Sequence, residues 1–257
     1  VNFQKLTAAL VATPVLIVCG LLAGCDNMPG KPKPGPEVPV PLSITNFDAL
    51  YAQNCSGCHG DNGQHGAAIA LNNPEYLALV DDATVKSVIS NGYKGGLMPG
   101  FAASASGMLT DEQISAIVSG MRSKWGKGNV LAGQNAPAYA ASKPGDVNHG
   151  GQVYASACAS CHGAKGTEGQ RGSILNGSYL ALMNPQSLRT IVIIGRPEWG
   201  MPDWRNDVKG QPLSDADVTD VVAWMQAQAP SYPGQPYADV KQTTQAPPPT
   251  NGRGDKY

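Results

Sequence analysis

Cys55-Ser56-Gly57-Cys58-His59-Gly60 and Cys158-Ala159-Ser160-Cys161-His162-Gly163 are one unit written twice, 103 residues apart. Each copy opens a segment that ends in a methionine-proline pair, Met98-Pro99 and Met201-Pro202, again 103 residues apart. Cys-x-x-Cys-His is the spacing of c-type haem attachment. Two thiols on one short turn can add to the two vinyl groups of the porphyrin, while the adjacent histidine comes under the iron. Methionine is a soft, neutral sixth ligand that stabilises ferrous iron and raises the potential relative to a second histidine. The repeat therefore predicts two covalently bound haem c groups. Cys55 and Cys58 would hold the first and Cys158 and Cys161 the second, with His59 and Met98 on one iron and His162 and Met201 on the other.

Cys-x-x-Cys is also the signature of thiol–disulfide redox pairs, and two such pairs can hold zinc. The histidine that follows each pair at once argues against both. Zinc would further require two copies 103 residues apart to merge around one metal. The methionine assignment rests on correspondence. Met28, Met108 and Met183 have no methionine counterpart in the other copy, and Met121 and Met225 lie on the apolar stripe of a helix. Met98 and Met201 correspond and sit in glycine-rich loops. His65 and His149 compete for the sixth position, but His65 is too close to its motif to reach the far face easily.

The chain has 257 residues, of which 31 are glycine and 21 proline, so much of its length is loop. Its formal net charge is −1 and it carries no basic tract, which speaks against a nucleic-acid partner. Domains of about 80 residues bury limited apolar surface, and a covalent haem supplies the missing core. Residues 1–24 read as a targeting segment, with Lys5 before the apolar run Leu6–Leu22. Leu22-Ala23-Gly24-Cys25 resembles the lipobox of bacterial lipoproteins, in which Cys25 would take the lipid. An uncleaved anchor is the alternative, because the run approaches transmembrane length. Either reading puts the body on the outer, periplasmic face of the cytoplasmic membrane, and Asp26 resembles an inner-membrane retention signal. Cys19 falls in the leader and Cys25 takes lipid, so the four motif cysteines leave no thiol for a disulfide.

Residues 25–44 form a proline-rich tether. Residues 45–125 make a first domain, 126–148 a linker by composition, 149–229 a second domain, and 230–257 a proline-rich tail. Within each domain the expected order is a short helix, the motif, a glycine-rich loop, two further helices, the methionine loop and a last helix. In the first domain that last helix opens with a capping box, Thr110 with Gln113, and buries Ile114, Ile117, Val118 and Met121. In the second it starts near Ser214, one residue late, and buries Val218, Val221, Val222 and Met225. Between motif and Tyr76 or Tyr179 the copies read as slipped, with Gly63-Gln64-His65-Gly66 answering Gly169-Gln170-Arg171-Gly172 at an offset of 106.

Each module resembles a class I cytochrome c, and the chain resembles a tandem dihaem cytochrome c over residues 45–125 and 149–229. The resemblance implies an all-α fold, two small helical domains each around one haem, in which first and last helices cross. In that family a glycine on the first helix, four residues before an aromatic, packs under an aromatic on the last. Gly150, Tyr154 and Trp224 follow this pattern. The first domain holds Phe47 at the glycine position and Gly120 at the aromatic one, an exchange that conserves volume. The family also places a proline after the motif, whose carbonyl accepts from the proximal histidine. The stretches Ala67-Ala68-Ile69 and Ser173-Ile174-Leu175 have none, so an unspecified backbone carbonyl there is expected to serve.

The implied function is outer-sphere electron transfer rather than catalysis, since histidine–methionine iron has no open position. The expected setting is a respiratory chain, between a quinol-oxidising complex or dehydrogenase and a soluble cytochrome or terminal oxidase. The enzyme alternative is a dihaem peroxidase or thiosulfate-oxidising enzyme. The loop around Met201, with Arg196, Trp199, Trp204 and Arg205, reads either as a face for a lasting protein contact or as one whose Trp199 and Trp204 merely cover the second haem, and the plainer loop around Met98 as one for brief encounters.

Overall fold

Side-chain caps decide where these helices begin. Asn46 accepts from Ala49 N at 3.0 Å and opens α1 (Phe47–Asn54). The first motif itself winds the single turn α2 (Ser56–His59). Asn73 caps α3 (Pro74–Leu79), Asp81 caps α4 (Asp82–Asn91), and Thr110 with Gln113 forms the expected capping box of α5 (Asp111–Trp125). The second copy repeats the series. Asp146 caps α6 (Val147–Val153), a π-helical turn at Tyr154–Cys158 leads into α7 (Ala159–His162), and Asn176 caps α8 (Gly177–Leu182). Asn184 caps α9 (Pro185–Ile194), and Ser214 with Asp217 boxes α10 (Asp215–Gln226). The computed structural model describes residues 43–206 and 211–234. Among them there are isolated bridges at Ala102–Leu109 and Arg196–Met201 but no strand, and the fold is all-α. No helix among the described residues is long and apolar enough to cross a membrane. The leader, Cys25, the proline-rich tether up to residue 42, and the tail beyond residue 234 lie outside the described residues.

The stripes predicted for the last helices are buried. Ile114, Ile117, Val118 and Met121 face inward from α5, and Val218, Val221, Val222 and Met225 from α10. The exchange at the helix crossing is present. A Cβ on Gly120 would fall 2.2 Å from Phe47 Cγ, so the ring lies directly on that glycine. At the equivalent crossing a Cβ on Gly150 would fall 2.0 Å from Asp220 O and 2.8 Å from Trp224 Cβ, so α6 meets the backbone of α10 itself. Each domain still roofs its tyrosine with a tryptophan. Trp224 stacks on Tyr154 with centroids 4.5 Å apart, while Trp125, five residues beyond Gly120, meets Tyr51 edge-on at 5.1 Å. Substituting Gly120→Trp is expected to overpack the first crossing and cost about 1–3 kcal/mol. Adding Phe47→Gly should recover part of that loss. Additive costs in a double-mutant cycle followed by chemical unfolding would mean the two side chains do not share this space.

The loop after the motif corrects one expectation. Through this loop the two copies keep the 103-residue register, with no slip. Gly63 N donates to Gly60 O and Gly166 N to Gly163 O; Asn72 N donates to Gly63 O and Leu175 N to Gly166 O. Ala68 N donates to Cys58 O and Arg171 N to Cys161 O. Gly66 therefore answers Gly169. The apparent offset of 106 came from matching similar letters, whereas the backbone bonds fix the true partners. A further equivalence ties α5 and α10 to the ends of α3 and α8: Arg122 donates to Val80 O, and Gln226 donates to Met183 O at 3.0 Å.

The two haem-motif domains share one apolar core. Ile193, Ile194, Trp204 and Val218 pack into the cluster that contains Leu50, Leu77 and Ile117. Asn73 uses its Oδ1 to cap α3 and its Nδ2 to donate to Ile194 O at 3.2 Å in the other domain. Arg205 bridges Asp203 and Glu75 Oε1, the latter at 2.9 Å. The segment 126–148 is fastened to both sides. The Tyr139 hydroxyl bonds that of Tyr93, and the Tyr139 carbonyl accepts from Gln186 and from the buried Arg189. The face around Met201 is thus not the external docking surface that its composition suggested. Arg196 and Arg205 are engaged with the first domain, Trp204 is 5% exposed in the shared core, and Trp199, 56% exposed, sets its ring edge against His65.

Candidate haem sites

In each motif the chain turns tightly enough to put both sulfurs and the histidine on one side. Cys58 N and His59 N both donate to Cys55 O, at 3.2 and 3.0 Å. The tyrosine of the preceding helix locks the end of that turn. Tyr51 Oη donates to Gly60 O at 2.7 Å, and Tyr154 Oη to Gly163 O at 2.6 Å. Seven residues after each histidine the loop returns so closely that only glycine fits. A Cβ on Gly66 would fall 2.2 Å from Cys58 O, and one on Gly169 2.2 Å from His162 C.

That return supplies the carbonyls that the sequence left unnamed. His59 Nδ1 is 2.8 Å from Ile69 O, and His162 Nδ1 is 3.1 Å from Gly172 O. Both acceptors lie ten residues beyond their histidine. Ile69 belongs to the stretch expected to provide one, whereas Gly172 stands just before its stretch. With Nδ1–H donated to a carbonyl, Nε2 carries the lone pair, which is the form that binds a metal. His59 is buried, and burial holds its pKa below the ordinary histidine value, with the Arg196 charge acting in the same sense. The Ile69 carbonyl opposes this shift.

The first cysteine of each pair is the more enclosed. Burial pushes the thiols of Cys55 and Cys158 up to about 11. A thiol–disulfide redox pair needs a depressed pKa at its attacking cysteine, so this environment opposes that reading. None of the four motif cysteines is in a disulfide. Among the described residues no three His, Cys, Asp or Glu side chains gather as a metal cage.

In the second domain Cys158, Cys161, His162 and Met201 together line one cavity. The remaining wall is largely apolar, with Ile174, Leu188, Val192 and Val221. These donors and this lining fit a haem bound through two sulfurs with its ring edge in apolar surroundings. In the first domain Met98 is half-buried and packs against the core. Each methionine loop is closed by a backbone bond at its base, Tyr93 N to Met98 O and Arg196 N to Met201 O, both 3.0 Å. The competing histidines are otherwise engaged. His149 Nδ1 bonds Asp220 Oδ2 at 2.8 Å, and this hydrogen bond holds its pKa above the ordinary value. His65 meets Trp199 edge-on. Sequence reasoning set Arg196 on the face around Met201 and missed that its guanidinium reaches the loop behind His59, because its partners are backbone carbonyls about 130 residues away.

An all-α fold with two Cys-x-x-Cys-His turns, each histidine oriented by a backbone carbonyl, defines a tandem c-type cytochrome. The family described as cytochrome c oxidase, cbb3-type, subunit III matches residues 43–119 and again residues 145–225, together more than half of the chain. The chain belongs to this family, whose cytochrome c domains carry covalent haem c and transfer electrons. Among solved structures, a chain of the Kuenenia stuttgartiensis reducing HAO-like protein complex is similar at 16% identity and a TM-score of 0.44. The similarity covers 72% of this chain and 96% of that one. No curated protein sequence matches.

Proposed function

We propose that the chain is a membrane-tethered, two-haem electron carrier that passes electrons from a quinol-oxidising complex or dehydrogenase to a soluble cytochrome or terminal oxidase. Cys55 and Cys58 hold one haem and Cys158 and Cys161 the other. His59 with Met98 would hold the first iron, and His162 with Met201 the second. Cys25 takes the lipid that keeps the protein on the periplasmic face of the cytoplasmic membrane. The observation that carries this reading is the one cavity that Cys158, Cys161, His162 and Met201 line together.

A bound haem supplies a one-electron ferric/ferrous couple. The protein's part is to fix both axial donors before and after transfer, so that little has to move. The Ile69 and Gly172 carbonyls would do this for the histidines, and the closed bases of the methionine loops for the thioethers. Apolar lining keeps water from the ring and favours the less charged ferrous state.

Acidified organic solvent applied to the purified protein should extract no free haem and leave two haems on each chain by mass. One equivalent, or free haem, would end the two-haem reading. Affinity purification from mild-detergent membranes should recover the chain in the membrane fraction, with a quinol-oxidising or dehydrogenase complex attached. Steady turnover of peroxide by the same preparation would favour an enzyme instead.

A further inference from the structure

Arg196 joins the two ligand-bearing loops. Its backbone pairs with Met201 in both directions, N to O and O to N, each at 3.0 Å. Its guanidinium crosses to the first domain, where Nη2 donates to Gly66 O at 2.8 Å and Nη1 to Ala67 O at 3.4 Å. Glu198 Oε1 accepts from its Nε at 2.9 Å, and the arginine side chain is only 16% exposed. The segment it grips is the one that orients His59. Gly66 is pressed on the backbone of Cys58 and His59, Ala68 N donates to Cys58 O at 2.9 Å, and Ile69 O accepts from His59 Nδ1 at 2.8 Å.

We infer that Arg196 is a positioning residue shared by both haem sites, fixing the Met201 loop through its backbone and the His59 loop of the other domain through its guanidinium. This rests on the two-haem reading above. The planar fork suits two neighbouring carbonyls, which a lysine ammonium cannot match in geometry although it keeps the charge. A fixed positive charge beside His59 favours the less positive, reduced state of the iron that His59 would hold. The equivalent residue of the first domain is Tyr93, which pairs with Met98 O in the same way but sends its side chain to Tyr139. At this position, therefore, only the second domain sends a charge across to the other site.

The test uses the full chain carrying both haems. Potentiometric titration is run with the two haems assigned by separate Met98→His and Met201→His backgrounds, and low-spin EPR is recorded on the same samples. Arg196→Gln is expected to lower the potential of the first-domain haem and to shift its ferric g-values. Arg196→Lys should keep most of that potential while the g-values still move, because the charge stays and the fork is lost. Arg205→Gln removes another cross-domain pair, that with Glu75, without touching residues 66–69, and should leave both readouts of the first haem unchanged. The inference is overturned if Arg196→Gln moves only the second haem, or if Arg205→Gln reproduces the shift. A haem count by mass keeps the two readings apart: a count below two is a failure of the parent reading, and two haems with an unmoved first potential is a failure of this one alone.

Discussion

Replacing Met201 with histidine is expected to lower the potential of the second-domain haem by on the order of a few tenths of a volt, within the roughly 0.8 V that axial ligands span. The thioether is a weak donor that leaves ferric iron poorly stabilised, whereas a second imidazole stabilises it. The substitution should not collapse the loop, whose base is held by backbone bonds between Arg196 and Met201 rather than by the methionine side chain. The apolar wall of Leu188, Val192 and Val221 also remains. Met98→His should act in the same direction on the first haem. Redox titration would show two separately displaced waves, and the far-red sulfur-to-iron band of the oxidised protein should vanish in the double variant. An intact band with unchanged potentials would remove both methionines from the ligand set.

The second large effect is expected at Arg189, the charged residue on the buried face of α9, 2% exposed beside Leu188, Thr190, Ile193 and Ile194. Its guanidinium donates to Ala138 O, Tyr139 O and Thr219 Oγ1, and pairs with Asp215. Arg189→Met keeps much of the volume but removes the charged donor from the Ala138 and Tyr139 carbonyls and from Thr219 Oγ1, a loss of roughly 2–4 kcal/mol. For a body of this size that corresponds to a fall in Tm of about 5–15 °C. Removing the other partner, Asp215→Asn, should cost no more than about 1 kcal/mol, because that carboxylate is 44% exposed and water replaces much of the pair. Thermal and denaturant unfolding of the haem-loaded variants measures both. A loss below about 1 kcal/mol for Arg189→Met would mean that segment 126–148 is not anchored through this residue.

The sequence by itself determined the parts whose signals are local. A motif of five residues fixes both sulfurs and the histidine on one turn, and short-range signals at Thr110 and Ser214 fix where the last helices start. The exchange of Phe47 with Gly120 for Gly150 with Trp224 was also legible, since large and small residues trade places at corresponding positions. Only the tertiary structure decided what depends on the backbone or on distant partners. Carbonyls carry no sequence signature, so Ile69 O and Gly172 O could not be named, and similar Gly-x-x-Gly letters suggested a slip that the hydrogen bonds exclude. The arginines around Met201 looked like an external face because charge and aromatic content describe a surface without saying what covers it. Here the cover is the chain's own first domain: Arg196 finds Gly66 and Ala67, and Arg205 finds Glu75, across some 130 residues, a distance over which only packing brings such groups together.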